Sequence, residues 1–133
     1  MWATCQSAKL WATLGAILAG VAVVLGAYGS HMLEGNEEVS DKFLLSVQYH
    51  MWHALALLAV GWQCSVGSKP NSWAAFSGIF FATGIFLFSG NLYVFAITGN
   101  PAIIGATPVG GFCFICGWVL LALASFLQKR DDG

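Results

Sequence analysis

Three long stretches of this chain contain no Asp, Glu, Lys or Arg: Leu10 to Leu33, Phe43 to Ser68, and Pro70 to Gln128. A membrane-crossing helix needs roughly 20 predominantly apolar residues. The first two stretches each hold one crossing, and the third holds two with a turn between them. Charge-free runs of this length leave a water-soluble globule without a polar shell, so the expected fold class is an all-α membrane protein: one compact bundle of four transmembrane helices over residues 1–133.

Composition supports the same reading. Of 133 residues, 58% are hydrophobic and 8% charged, whereas a soluble domain carries about a quarter charged residues. A net charge of −1 provides no basic patch, which excludes nucleic acid as an expected partner. Lys9 followed by Leu10 to Ala27 has the polarity of a secretory signal, but its apolar run exceeds the ~7–15 residues of a signal core. It is read as a retained first helix. The four cysteines, Cys5, Cys64, Cys113 and Cys116, are scattered, mostly within apolar runs, unlike a disulfide framework.

The expected helices span approximately 10–28, 43–66, 73–97 and 108–127. The first carries Ala12, Ala16 and Gly20 at intervals of four, with Gly15 and Ala19 one position away. Small residues so spaced let backbones approach where lipid offers no hydrophobic drive. Gly29 to Lys42 holds the only acidic cluster, Glu34, Glu37, Glu38 and Asp41, with a Gly35-Asn36 turn. Gly67 to Ser72 forms a short polar turn. Thr98-Gly99-Asn100-Pro101 ends the third helix, Pro108 sits in the first turn of the fourth, and Gln128 onward is a polar tail.

Basic residues in short flanks favour the cytoplasmic side. With both termini on one side, that side collects Lys9, Lys69, Lys129 and Arg130 against Lys42 opposite, so both termini are expected in the cytoplasm. This topology gathers His31, His50, His53, Ser89, Asn91, Tyr93 and Thr107 at the outer end. Polar side chains at membrane depth face protein or a water-filled cavity, which implies an outer-facing polar cluster. His50 and His53 share a helix face. With His31 they are candidates for a metal site, since imidazole suits zinc and copper, or for a proton path. The plainer reading is hydrogen bonding that fixes packing. Heme would need histidines on facing helices, and no resident cofactor is expected.

Cys113-Phe114-Ile115-Cys116 has CxxC spacing but lies within a membrane helix, away from the helix N-terminus that activates a redox thiol. Of the six tryptophans, Trp2, Trp11, Trp62 and Trp73 fall near the cytoplasmic boundary, as an aromatic belt would.

Four segments, read together, carry a family resemblance: Gly26-Ala27-Tyr28-Gly29-Ser30-His31, Tyr49-His50-Met51-Trp52-His53-Ala54-Leu55-Ala56, Leu87 to Tyr93, and Thr107-Pro108-Val109-Gly110-Gly111 through Gly117-Trp118. In this order they resemble the small four-helix membrane family classed as domain of unknown function 423, with a eukaryotic branch named transmembrane protein 256. The resemblance covers nearly the whole chain. It implies a four-helix protein of the bacterial inner membrane, or of mitochondria in a eukaryote, and supplies no reaction. Met32 stands where the family more often has glycine, and Asn91 where it more often has serine. Cys113 and Cys116 lie outside the family pattern.

Three functions remain in view. The leading expectation is a non-enzymatic accessory or assembly subunit, with the lipid bilayer, other membrane subunits or a second copy as partners. The alternatives are a small transporter or channel for protons, metal ions or a small solute, and a metal- or cofactor-binding protein using His31, His50 and His53. No intramembrane Asp/Glu pair, Ser–His spacing or phosphate loop points to an enzyme.

Overall fold

A computed structural model of the chain describes residues 2–33, 35–66 and 69–128, and the side chains of residues 2–5 and 32 lie outside that description. Glu34, part of the 67–72 turn, and Lys129 and Arg130 of the tail are therefore outside the described residues, as are the side chains of Trp2 and Cys5. All regular structure among the described residues is helical: α1 (Trp2–Met32), α2 (Glu37–Ser65), α3 (Ser72–Gly84), a π-helical segment (Ile85–Gly90), α4 (Asn91–Thr98) and α5 (Ala106–Leu127). The segments from Ser72 to Thr98 form one continuous crossing. Four helices are thus long and apolar enough to span a membrane: Gln6–His31, Glu37–Ser65, Ser72–Thr98 and Ala106–Leu127.

The helix starts are set by local side chains. Asn36 caps α2, its Oδ1 accepting the Val39 N–H at 3.2 Å, and Asn71 caps α3 by accepting the Ala74 N–H at 3.2 Å. Gly99, with φ of 75°, closes α4 in the left-handed conformation, and its N–H donates to the Phe95 carbonyl. Helix α2 begins before its apolar run, and Lys42 near its start pairs with Glu38 at 2.7 Å. The same ammonium lies 4.5 Å over the Phe95 ring, so a charged residue at the membrane edge is held by both an acid and an aromatic face.

Helix α1 packs along α2 through a seam of small residues: Ala8, Ala12, Gly15, Ala19, Ala22, Gly26 and Gly29. Gly15, Ala22 and Gly29 are buried. A methyl group on Gly15 would lie 2.7 Å from the Ala54 carbonyl oxygen, and one on Gly61 of α2 would lie 2.9 Å from the Ala12 nitrogen. These backbone approaches are what small residues permit between membrane helices. Of the small residues singled out in sequence, Ala12, Gly15 and Ala19 belong to this seam, whereas Ala16 and Gly20 are exposed and Gly20 meets nothing within 4 Å.

Helix α2 is central, touching every other crossing. The core holds Leu57, Val60, Phe81, Ile85 and Phe114 together with Trp11. Trp11 was expected among the boundary anchors. It is instead 8% exposed and packs into the bundle, because Gly78 leaves room for its indole: a methyl there would lie 2.7 Å from the ring. Trp62 and Trp73 are exposed, as belt residues are.

Candidate functional site

His50 and His53 of α2 face polar residues on neighbouring helices, and the polar groups resolve into separate hydrogen-bonded pairs. On α2, Ser46, His50 and His53 are all buried, at 0%, 3% and 3% exposure. Ser46 and Ser89 exchange hydrogen bonds reciprocally: Ser46 Oγ donates to the Ser89 carbonyl at 2.8 Å, and Ser89 Oγ donates to the Ser46 carbonyl at 3.1 Å. The π-helical turn explains how Ser89 reaches α2. One extra residue in a helical turn rotates the following side chains by about 100°, and it opens backbone carbonyls to outside donors. Helix α5 also meets this segment closely. A methyl on Gly110 would lie 2.5 Å from the Phe88 nitrogen.

His53 is enclosed by aromatic rings and has both nitrogens engaged. Nδ1 lies 2.7 Å from the Tyr49 carbonyl oxygen and Nε2 lies 3.2 Å from Trp118 Nε1. A carbonyl only accepts and an indole N–H only donates, so the neutral ring must carry its proton on Nδ1 and accept on Nε2. The imidazole stacks on Phe114 with centroids 3.5 Å apart and planes 8° from parallel. Beside it lies a cavity of about 520 Å³, walled by Tyr49, Trp52, Phe88, Phe112 and Trp118.

His50 contrasts with His53. Its Nδ1 is hydrogen-bonded to the Tyr93 hydroxyl at 3.1 Å, and its Nε2 is buried without a hydrogen-bond partner among the described residues. Asn91 ties the loop before α5 to the bundle. Its Nδ2 donates to Thr107 Oγ1 at 3.0 Å, and its Oδ1 accepts the Ile103 N–H at 2.9 Å.

The three histidines are not gathered into one site. His31 is exposed at the end of α1, and among the described residues no group of three or more His, Cys, Asp or Glu is placed to hold a metal ion. Trp118 occupies the nitrogen of His53 that would otherwise ligate. Cys113 is half-buried, Cys116 is exposed, and both are free thiols.

The opposite end holds more polar structure than the sequence suggested. Ser77 Oγ donates to the Gly117 carbonyl at 2.8 Å and Asn71 Nδ2 to the Ala124 carbonyl at 3.2 Å. Gln63 donates to Gln128, which donates to the Val66 carbonyl. A serine facing a glycine carbonyl, and an asparagine already committed as a cap, are faint signals in a linear sequence. The role of Trp118 had no sequence signal at all.

Residues 25–111 match the family model described as "Protein of unknown function (DUF423)". The chain is 43% identical to the UPF0382 membrane protein YwdK of Bacillus subtilis, over 88% of this chain and 96% of that one. It is 40% identical to the UPF0382 membrane protein SAB0533 of Staphylococcus aureus, over 89% and 96%. A UPF0382 membrane protein of Haemophilus influenzae is 35% identical, over 88% and 94%. No solved structure matches. The chain belongs to this family of membrane proteins of unknown function, and the matched region contains His31, the α2 histidines, Asn91 and Tyr93.

Proposed function

We propose that this member of an uncharacterised membrane family is a non-enzymatic accessory or assembly subunit of a larger membrane complex, lodged in the bacterial inner membrane with both termini in the cytoplasm. The observation that carries the reading is the internal use of the polar cluster. Ser46, Ser89, His53, Asn91 and Trp118 form hydrogen bonds across helix interfaces within the chain, as side chains that fix packing do. The exposed Thr13, Ala16 and Gly20 of α1 add support, since a second small-residue face suits close approach by a neighbouring helix.

Isolation of the tagged chain from native membranes in mild detergent tests this reading. It predicts stoichiometric recovery of further membrane subunits. Recovery as a lone chain in several detergents would refute it.

One observation favours the alternative of a conduit for protons or a small solute: the unpartnered Nε2 of His50, buried beside Tyr93. Flux into liposomes that disappears in His50→Gln would favour this alternative. Absence of flux in the unmodified protein would remove it.

A further inference from the structure

A second groove lies elsewhere, between α1 and α2 near the loop that joins them. It encloses about 670 Å³ and is walled by Val23 and Ala27 of α1 and by Leu44, Met51 and Trp52 of α2. Two polar residues of α2 line it, Asp41 and Gln48. They are seven positions apart, which is two helical turns or about 10 Å along the axis.

Among the described residues, neither side chain has a hydrogen-bond partner. The nearby charges Glu38 and Lys42 neutralise each other, and the Asp41 carboxylate forms no ion pair among the described residues. Gln48 is exposed and takes no part in the hydrogen bonds that engage Ser46 and His50 on the same helix. An amide facing lipid without a partner is costly.

The order of these groups down the groove is informative. Asp41 lies two residues before the charge-free Phe43–Ser68 run, a position suited to the headgroup layer when α2 crosses the membrane. An amide follows about 10 Å deeper, a depth that passes through the interfacial layer to the edge of the hydrocarbon. Apolar walls continue below. A phospholipid presents the complementary order: a headgroup, then ester carbonyls, then an acyl chain. The carboxylate selects a headgroup carrying a primary ammonium.

We propose that this groove is a binding site for one phospholipid with a primary ammonium headgroup, such as phosphatidylethanolamine. The ammonium meets Asp41, Gln48 Nε2 donates to an ester carbonyl, and an acyl chain lies along Val23, Ala27, Leu44 and Met51. A second copy of the chain is a poorer occupant, because a twofold contact on this groove sets two Asp41 carboxylates against each other. An anionic lipid adds negative charge at the same place.

Native mass spectrometry of the purified full chain, titrated with phosphatidylethanolamine and phosphatidylglycerol of identical acyl chains, tests the site. The expected result is a one-to-one adduct with phosphatidylethanolamine favoured about fivefold, the scale of a partly exposed charge pair. Asp41→Asn should abolish the preference, and Gln48→Leu should weaken both lipids. Glu37→Gln, one turn earlier, should leave the preference intact, which separates the site from overall charge. Ala27→Phe fills the groove and should remove the adduct while helicity by circular dichroism is unchanged. Equal retention of the two lipids, or a preference that survives Asp41→Asn, would overturn the proposal. So would a dimer that Ala27→Phe dissociates.

Discussion

His53 offers a direct way to measure what the polar residues contribute. Replacing it with Phe retains a flat ring to stack on Phe114 but removes both hydrogen bonds. The Trp118 N–H then loses its acceptor, whereas the Tyr49 carbonyl keeps its place in the helix ladder. A donor left unsatisfied in an apolar setting costs about 1–3 kcal/mol, so His53→Phe should destabilise the bundle by about 2 kcal/mol. His53→Gln, whose amide oxygen can still accept from Trp118, should cost about 1 kcal/mol or less. The critical measurement is a double-mutant cycle with Trp118→Phe, read by reversible unfolding in mixed micelles. If the orphaned N–H dominates, the double variant should cost less than the two single costs added together, with a coupling of about 1 kcal/mol. Additive costs would refute the assignment of the 3.2 Å Trp118–His53 contact as a stabilising hydrogen bond. Equal losses for Phe and Gln would point instead to a requirement for imidazole itself.

Two further outcomes follow from the packing. Gly110→Ala drives a methyl to 2.5 Å from the Phe88 backbone nitrogen, which cannot rotate away, whereas Gly20→Ala meets open space. The first should lose about 1–3 kcal/mol, and the second should be neutral or stabilising, since alanine favours the helix by up to about 1 kcal/mol; unfolding of the two variants side by side measures the contrast. Asn91→Leu removes the acceptor for the Ile103 N–H and the donor to Thr107, so hydrogen exchange at Ile103 should accelerate about tenfold or more, the factor that 1.4 kcal/mol represents, while exchange within α2 is unchanged.

The four crossings were legible because the absence of charge over helix-length runs is a property of the linear chain. The seam on α1 was only half legible, and the reason is geometric. Residues four apart advance by about 40° beyond a full turn, so Ala12, Ala16 and Gly20 drift around the helix, whereas alternating steps of four and three drift only about 20° per heptad. The seam that packs is therefore Ala8, Ala12, Gly15, Ala19, Ala22, Gly26 and Gly29. The histidine pair was visible, but its chemistry was not. What a histidine can do depends on which atoms meet its two nitrogens, and the Trp118 indole comes from a different helix, 65 positions away in sequence. The π-helical turn was hidden as well. Ile85 to Gly90 reads as ordinary apolar helix, and its distortion accompanies the tertiary contacts at Ser46 and Gly110. Trp11 was misjudged because its position near a boundary suggests anchoring, while the space beside Gly78 draws the indole inward.

These contacts divide the bundle by the kind of force that holds it. Helix α1 is attached by close steric approach, with backbone atoms near backbone atoms and little directional bonding. The contacts of α2 with the third crossing and α5 add hydrogen bonds between Ser46 and Ser89, His50 and Tyr93, and Trp118 and His53. The difference matters in lipid, where apolar surface gains little by leaving one apolar medium for another. Directional bonds specify one register, whereas a seam of methyls and glycines tolerates small sliding. Polar groups already committed to register are not free to recognise anything else. Among the described residues, Nε2 of His50 is buried without a partner, and Asp41 and Gln48 line the open α1–α2 groove. Recognition of an outside molecule by side-chain polarity therefore points to the groove, at a junction that close steric approach dominates among the described residues.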